Sequence, residues 1–139
     1  HLAVGIVRAL LEQRCTAWAL DCSELAGLFS SANGYSEDRE PAREELARLE
    51  SLDALLIDDI TWLQRQHVAG RKERIGTFET GLTLLLRNFQ GALLLTSNIG
   101  PELETYAGER LWSRIGERCE ERRMQGEDYR VRRAREGGH

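Results

Sequence analysis

The feature that most constrains the fold is a strand-like segment, DALLIDDI, at residues 53–60. Its four consecutive apolar residues, 54–57, are typical of a short strand buried on both faces, as strands are in a parallel sheet. Two aspartates, Asp58 and Asp59, follow directly at the end of this run. The segment therefore predicts a parallel sheet with carboxylates at the carboxyl end of one strand.

The rest of the chain alternates between helix-like and strand-like segments. Apolar runs predict two further strands at residues 16–21 and 91–98, and a final strand is expected at 120–125. Helical spacing predicts helices at residues 1–13, after Ser23 as N-cap, from Pro41 to about Leu49, and at 77–88, 101–107 and 109–119. Polar composition predicts loops at 30–40 and 65–74. The alternation predicts an α/β three-layer sandwich with a mostly parallel sheet, in which residues 1–139 form a single domain.

Composition limits the class of protein. With 41% hydrophobic and 30% charged residues and no long apolar run, the chain is expected to be soluble and to have no membrane partner. Three cysteines without a CxxC pair favour neither a disulfide framework nor a zinc site, so we expect free thiols in a cytoplasmic protein. A net charge of −4 argues against nucleic-acid binding by the whole surface, and restricts such contact to local arginine-rich segments.

Polar side chains follow two of the predicted strands. In an open parallel sheet ligands bind beyond the carboxyl ends of the strands, where Asp58, Asp59 and the Ser97-Asn98 pair are expected to project. One carboxylate there suits a magnesium ion with its water shell, while a second carboxylate and an amide suit a water molecule that attacks a γ-phosphate. Adjacent aspartates are also common in turns, so the pair alone does not decide between these interpretations.

Three ordered motifs resemble those of a known family. DALLIDDI resembles the Walker B strand of AAA+ ATPases, and LLLTSN at residues 93–98 resembles their sensor 1 strand. The segment GERLWSRI at 108–115, followed by GEDYRVR at 126–132, is similar to the C-terminal signature of the DnaC/DnaI-type helicase loaders. The opening HLA resembles the residues that follow the Walker A motif in those loaders. The resemblance covers nearly the whole chain and implies a RecA-like AAA+ fold that binds ATP and Mg²⁺.

The resemblance also implies roles for particular residues. Asp58 would help to bind magnesium, and Asp59 stands where most relatives place a catalytic glutamate, one methylene longer. Asn98 corresponds to sensor 1, and Arg114 to the arginine finger that reaches the γ-phosphate in a neighbouring subunit, which implies self-association. Arg130 corresponds to the sensor 2 arginine, which touches the nucleotide of its own subunit. A planar, permanently charged guanidinium suits such phosphate contacts.

Both arginines have a simpler interpretation. Arg114 lies on a predicted helix within reach of Glu109 and Glu117, either of which is a plausible surface partner. Arg130 lies in a run of charges that is typical of a solvated tail. Without the resemblance, these interpretations would be preferred.

One motif of such ATPases is absent from the sequence. No GxxxxGK[ST] motif, whose backbone N–H groups would hold the phosphates, occurs in the chain, and Lys72 is its only lysine. We therefore expect the domain to be incomplete at its N-terminus and to begin just after the phosphate-binding loop. Loss of the strand that precedes this loop would expose a pairing edge and apolar surface.

Contact with DNA is a further expectation. The basic segment after the Walker B strand offers Arg65, Arg71, Lys72 and Arg74 for a salt-sensitive contact with single strands, although a solvated loop explains the same charges. Trp62 is a candidate for base stacking or for the core. The resulting hypothesis is an ATP-dependent loader that binds single-stranded DNA and a replicative helicase. The alternatives are the helper ATPase of an insertion element and a non-hydrolysing AAA+ interaction module.

Overall fold

The fold is built on a three-stranded parallel sheet. The computed structural model describes residues 2–125 and residue 133, and in that part of the chain the strands lie in the order β1-β2-β3. The register sets Asp21 opposite Asp58 and Ile57 opposite Leu95, so all three strands end at the same edge. The strands are β1 (Ala17–Asp21), β2 (Ala54–Asp58) and β3 (Ala92–Leu95). The predicted α/β class with a parallel sheet is confirmed, and the architecture is compatible with a Rossmann-like α/β fold.

Six helices accompany these strands in the described part of the chain. They are α1 (Leu2–Glu12), α2 (Cys22–Asn33), α3 (Arg39–Glu50), α4 (Trp62–Val68), α5 (Lys72–Asn88) and α6 (Leu103–Arg118). Within the described residues, none of these helices has both the length and the apolar character needed to cross a membrane.

The central strand β2 is buried on both faces, as its sequence predicts. Residues 54–57 are each at most 1% exposed. Side chains alternate along a strand, so Ala54 and Leu56 pack with Val7 of α1 in one cluster, while Leu55 and Ile57 belong to the larger core formed with α2, α5 and α6. Helices therefore cover both faces of the sheet. On the α1 side the cover is thinner, because α1 packs mainly against β1 and β2.

Strand β1 passes into helix α2 without a loop. Asp21 is the N-cap: its Oδ1 accepts a hydrogen bond from the Glu24 N–H at 2.8 Å, and Glu24 Oε2 accepts one from the Asp21 N–H at 2.9 Å. This reciprocal capping box satisfies two N–H groups at the helix start. The prediction of Ser23 as N-cap was wrong by two residues, because the carboxylate that ends the strand already caps the helix.

Helix α6 is bent at Gly108, where the backbone leaves the helical region at φ 71° and ψ 152°. The two short helices predicted at 101–107 and 109–119 correspond to its two halves. A side chain at Gly108 would be strained at this positive φ, and its Cβ would lie 3.1 Å from Glu79 Oε1 of α5.

Three predicted segments differ from the structure. The basic segment 65–74 is not a loop, because it forms most of α4 and the first turn of α5, with only residues 69–71 between them. The predicted loop 30–40 shrinks to residues 34–38, since α2 and α3 extend into it from either side. Residues 120–125 form no strand, because the segment is exposed and its arginines pair with nearby glutamates instead of joining the sheet.

Candidate functional site

The polar residues that follow β2 and β3 meet at the carboxyl edge of the sheet. Because β2 and β3 are adjacent and parallel, Asp58 and Asp59 lie next to the segment that begins at Thr96. The Ile60 N–H donates to the Thr96 carbonyl at 2.9 Å, which extends the pairing past the end of the strands. The structure thus brings together Asp58, Asp59 and the segment that carries Asn98, as the sequence predicts.

Two threonines tie the strand ends together. The Thr96 hydroxyl donates to Asp58 Oδ1 and accepts a hydrogen bond from the Asp59 N–H at 2.8 Å. In the opposite direction, the Thr61 hydroxyl accepts a hydrogen bond from the Asn98 N–H at 2.9 Å. Sequence analysis missed both threonines. The available signal was their position, since Thr61 lies two residues after Asp59 and Thr96 lies two residues before Asn98.

Asp59 is held in an unusual conformation. Its φ of 59° lies in the left-handed region, which costs a non-glycine residue roughly 1–2 kcal/mol. One carboxylate oxygen, Oδ2, accepts a hydrogen bond from Arg65 Nη2 at 2.9 Å. The other, Oδ1, is buried and has no hydrogen-bond partner among the described residues. Strain and a half-satisfied carboxylate at one residue indicate a functional constraint, because neither contributes to stability.

The Arg65 pair is a weak restraint on Asp59. The Arg65 side chain is 54% exposed and that of Asp59 is 35% exposed. An ion pair with such exposure contributes at most about 1 kcal/mol, because water and salt screen it. A competing phosphate or a small change in α4 is therefore enough to release the carboxylate.

Asn98 is positioned by its backbone and is free at its side chain. Its N–H is bound by Thr61, whereas its amide side chain is exposed and makes no hydrogen bond within the described residues. The adjacent Ser97 hydroxyl donates to the Ile99 carbonyl at 2.7 Å and accepts from the Ile99 N–H at 3.1 Å, which fixes the turn. An amide in this position is available to a water molecule or a ligand.

A cysteine lies directly behind the site but is not a nucleophile. Burial, followed by the charges of Asp59 and Asp21, raises the pKa of the Cys22 thiol far above its usual range, against a smaller opposing effect of Arg65. Cys22 is 1% exposed. A thiol in this environment stays protonated, so the site has no thiolate chemistry.

The residues at the strand ends fit one hydrated magnesium ion. No group of three or more His, Cys, Asp or Glu side chains capable of holding a metal occurs in the part of the chain that the structure describes. Magnesium bound with substrate phosphates needs only one or two carboxylates and keeps several waters. The exposed Asp58, with Oδ1 engaged by Thr96, leaves Oδ2 for such an ion.

Arg114 lies away from the carboxyl ends of β2 and β3. Its Nη1 pairs with Glu117 Oε2 at 2.7 Å. Of the two surface partners expected from the sequence, Glu109 and Glu117, the structure therefore shows the contact with Glu117. It lines a groove between α5 and α6 whose walls include none of Asp58, Asp59 and Asn98. Within one chain, therefore, Arg114 is not part of the strand-end site, the cluster formed by Asp58, Asp59 and Asn98. Arg130 lies outside the described residues.

Three of the four candidate DNA-binding residues lie on helices α4 and α5, and Arg71 lies in the short connection just before α5. Arg65 is engaged by Asp59, and the Arg74 guanidinium lies 5.7 Å from the ring centre of Trp62. Arg71 and Lys72 are exposed at the start of α5. Trp62 is only 4% exposed and packs on Phe78, so it belongs to the core and does not present a face for base stacking.

Two other aromatic side chains make contacts at the surface. His67 joins α4 to α6: its Nε2 lies 3.1 Å from the Tyr106 carbonyl oxygen, and the two rings pack edge to face. Trp18 is 49% exposed, and the Arg48 guanidinium lies over its ring. Both contacts are local to the surface and do not reach the strand-end site.

The fold and the site define an α/β protein with a candidate ligand site at the carboxyl ends of parallel strands. Comparison with known proteins does not narrow this class, because no protein-family model matches the chain and a search of curated proteins finds no match.

Proposed function

We propose that the chain is an ATP-binding domain of the RecA-like AAA+ type that loads a replicative helicase, and that it binds ATP, Mg²⁺ and single-stranded DNA. The observation that supports the proposal best is the meeting of Asp58 and Asp59 of β2 with Asn98, which follows β3, at one edge of a parallel sheet. This is the arrangement that the Walker B and sensor 1 motifs imply.

In this proposal each polar residue at the strand ends has one task. Asp58 holds the magnesium ion, which offsets the negative charge of the phosphates when it is bound. Asp59 accepts a proton from the attacking water, and Asn98 orients that water. Asp59 takes this role only after it leaves Arg65, because a carboxylate oxygen that is engaged by a guanidinium is a weak proton acceptor. Arg114 acts on the nucleotide of a neighbouring subunit.

The test compares ATP turnover by the natural protein that contains this chain with turnover by its Asp59→Asn variant, with and without single-stranded DNA. We expect a fall of roughly 100-fold or more, the effect of removing a general base, while binding of ATP with magnesium is retained. Asp38→Asn is the matched control, since Asp38 is exposed and makes no cap hydrogen bond with its side chain. Equal turnover in Asp59→Asn and the unsubstituted protein would rule out the role of Asp59.

A second candidate function is a non-hydrolysing interaction module of the same fold. One observation favours it: the carboxylate of Asp59 is already engaged by Arg65. In that case the natural protein would show no turnover, and Asp59→Asn would change nothing. Alanine at Arg114 would then still lower the ATP turnover of an assembly in which a partner supplies the catalytic residues.

A further inference from the structure

A groove separate from the strand-end site runs between α5 and α6. It has a volume of about 540 Å³, and it is bounded by one face of α5 and by the second half of α6 after the bend at Gly108. A volume in this range suits a small ligand rather than a large partner surface.

Three guanidinium groups line this groove, from Arg87 on α5 and from Arg110 and Arg114 on α6. Within residues 2–125 and 133, no carboxylate lies within ion-pair distance of Arg87 or Arg110. Arg114 pairs only with the exposed Glu117, a contact that contributes about 1 kcal/mol or less. All three cations are therefore available to an anion.

The groove also has apolar and acidic parts. Leu111 is 1% exposed and forms the floor, while Leu84 is 46% exposed beside the arginines. Glu79 and Glu109 are the carboxylates in the lining. Burial raises the pKa of the Glu79 carboxyl, with an opposing effect from His67.

We propose that this groove binds the polyphosphate chain of a nucleotide, with Arg87 and Arg110 as contacts beside Arg114. Guanidinium groups bind phosphate oxygens by paired, charge-assisted hydrogen bonds, and the exposed apolar surface of Leu84 suits the base or sugar. A concave, partly apolar groove favours a nucleotide over a nucleic-acid backbone, which would lie along an extended basic surface. This inference depends on the proposed function in one respect: the nucleotide would be supplied by a second copy of this chain.

The experiment measures binding of ATP, free tripolyphosphate and a thymidine oligonucleotide to the full 139-residue chain at one low salt concentration. We expect ATP to bind most tightly, because of the three probes it alone combines a polyphosphate chain with a base for the apolar part of the groove. Arg87→Gln and Arg110→Gln should each weaken ATP binding by about tenfold or more, the usual effect of losing one charge-assisted contact. Glu79→Gln should tighten it.

Arg8→Gln is the matched control. Arg8 is an exposed arginine on α1 that pairs with Glu12 and lies outside the groove. Its replacement by glutamine changes the net charge by the same amount as the groove substitutions. Arg87 and Arg110 are exposed, and thermal unfolding is expected to match that of the unsubstituted chain for all three arginine variants.

Three outcomes would overturn the proposal. The first is unchanged ATP affinity in Arg87→Gln and Arg110→Gln. The second is an equal loss in Arg8→Gln, which would mean binding by diffuse charge. The third is Arg87-dependent binding of the oligonucleotide, or of tripolyphosphate as tightly as ATP, which would exclude a nucleotide as the ligand. The proposed function is tested separately, by the ATP turnover of the Asp59→Asn variant. If that test fails, the dependence of ATP affinity on Arg87 is still a valid test of the groove.

Discussion

At the scale of single residues, Asp59 carries two unfavourable features at once. Its backbone is left-handed, and one of its carboxylate oxygens is buried without a partner among the described residues. Arg14 has a similar φ of 63° but lies in an exposed turn after α1, away from the candidate site. Comparing substitutions at Asp59 and Arg14 therefore distinguishes the energetic cost of a positive φ from a functional role of Asp59.

We expect Asp59→Gly to raise the free energy of unfolding by about 1 kcal/mol, because glycine adopts a positive φ without strain and the unpaired buried oxygen is removed. Arg14→Gly should raise it by a similar amount. Only Asp59→Gly should abolish ATP turnover in the natural protein. Urea unfolding measures both stabilities. A less stable Asp59→Gly beside a more stable Arg14→Gly would show that the Arg65 contact outweighs the backbone strain.

The residues of the site were only partly predictable from sequence. Asp58, Asp59 and Asn98 follow apolar strands directly, so their positions at the sheet edge follow from the parallel arrangement alone. The contact between Arg65 and Asp59 was not predictable, because it requires α4 to turn back over the end of β2. Thr61 and Thr96 were missed for a related reason: a hydroxyl shows its role only when the register of neighbouring strands is known.

At the scale of elements, helix α5 was predicted too short because its first turn is polar. Lys72, Glu73 and Arg74 are exposed, and the apolar positions begin only with Ile75 and Phe78, which are buried. Helix α4 was missed altogether, since it has seven residues and two basic side chains in its last turn. Short amphipathic helices of this kind are stabilised by tertiary packing, which the sequence of the segment does not encode locally.

Close packing of α5 on α2 depends on Gly81. A Cβ at this position would lie 2.4 Å from Cγ of Phe29, well inside contact distance. We expect Gly81→Ala to lower the free energy of unfolding by about 1–3 kcal/mol, because the Phe29 ring must move within a filled core. Gly76→Ala, on the same helix with no atom within 4 Å of the added Cβ, should raise it by about 0.5–1 kcal/mol. If Gly81→Ala and Gly76→Ala changed the free energy of unfolding in urea by the same amount, close packing at Gly81 would not be what limits the α2–α5 contact.

At the scale of the whole molecule, the two faces of the sheet are unequally covered. On the α1 side, α1 leaves Leu2, Val4, Ile6 and Leu11 between 40% and 60% exposed. Strand β3 forms an edge of the sheet in the described part of the chain, and its residues are less buried than those of β2. Exposed apolar side chains that are grouped on one helix favour association.

We expect the 139-residue chain to self-associate as its concentration rises, and the double substitution Val4→Lys, Leu11→Lys to reduce the apparent mass in static light scattering. Both side chains are about half exposed, so their replacement removes little core packing. Val68→Lys is the matched control, because Val68 is 83% exposed on α4 and has no place in the α1 surface. A chain that stays monomeric throughout, or an equal effect of Val68→Lys, would show that the α1 surface does not drive association.

The crossed threonine bonds make the two strand ends a single mechanical unit. Thr96 of one segment holds Asp58 and Asp59 of the other, and Thr61 holds Asn98 in return. A ligand that pulls on Asp58 must shift the Thr96 hydroxyl, and this hydroxyl also carries the Asp59 amide. Occupancy of one carboxylate is thus transmitted to the backbone of the next residue, so the two aspartates respond to a ligand together.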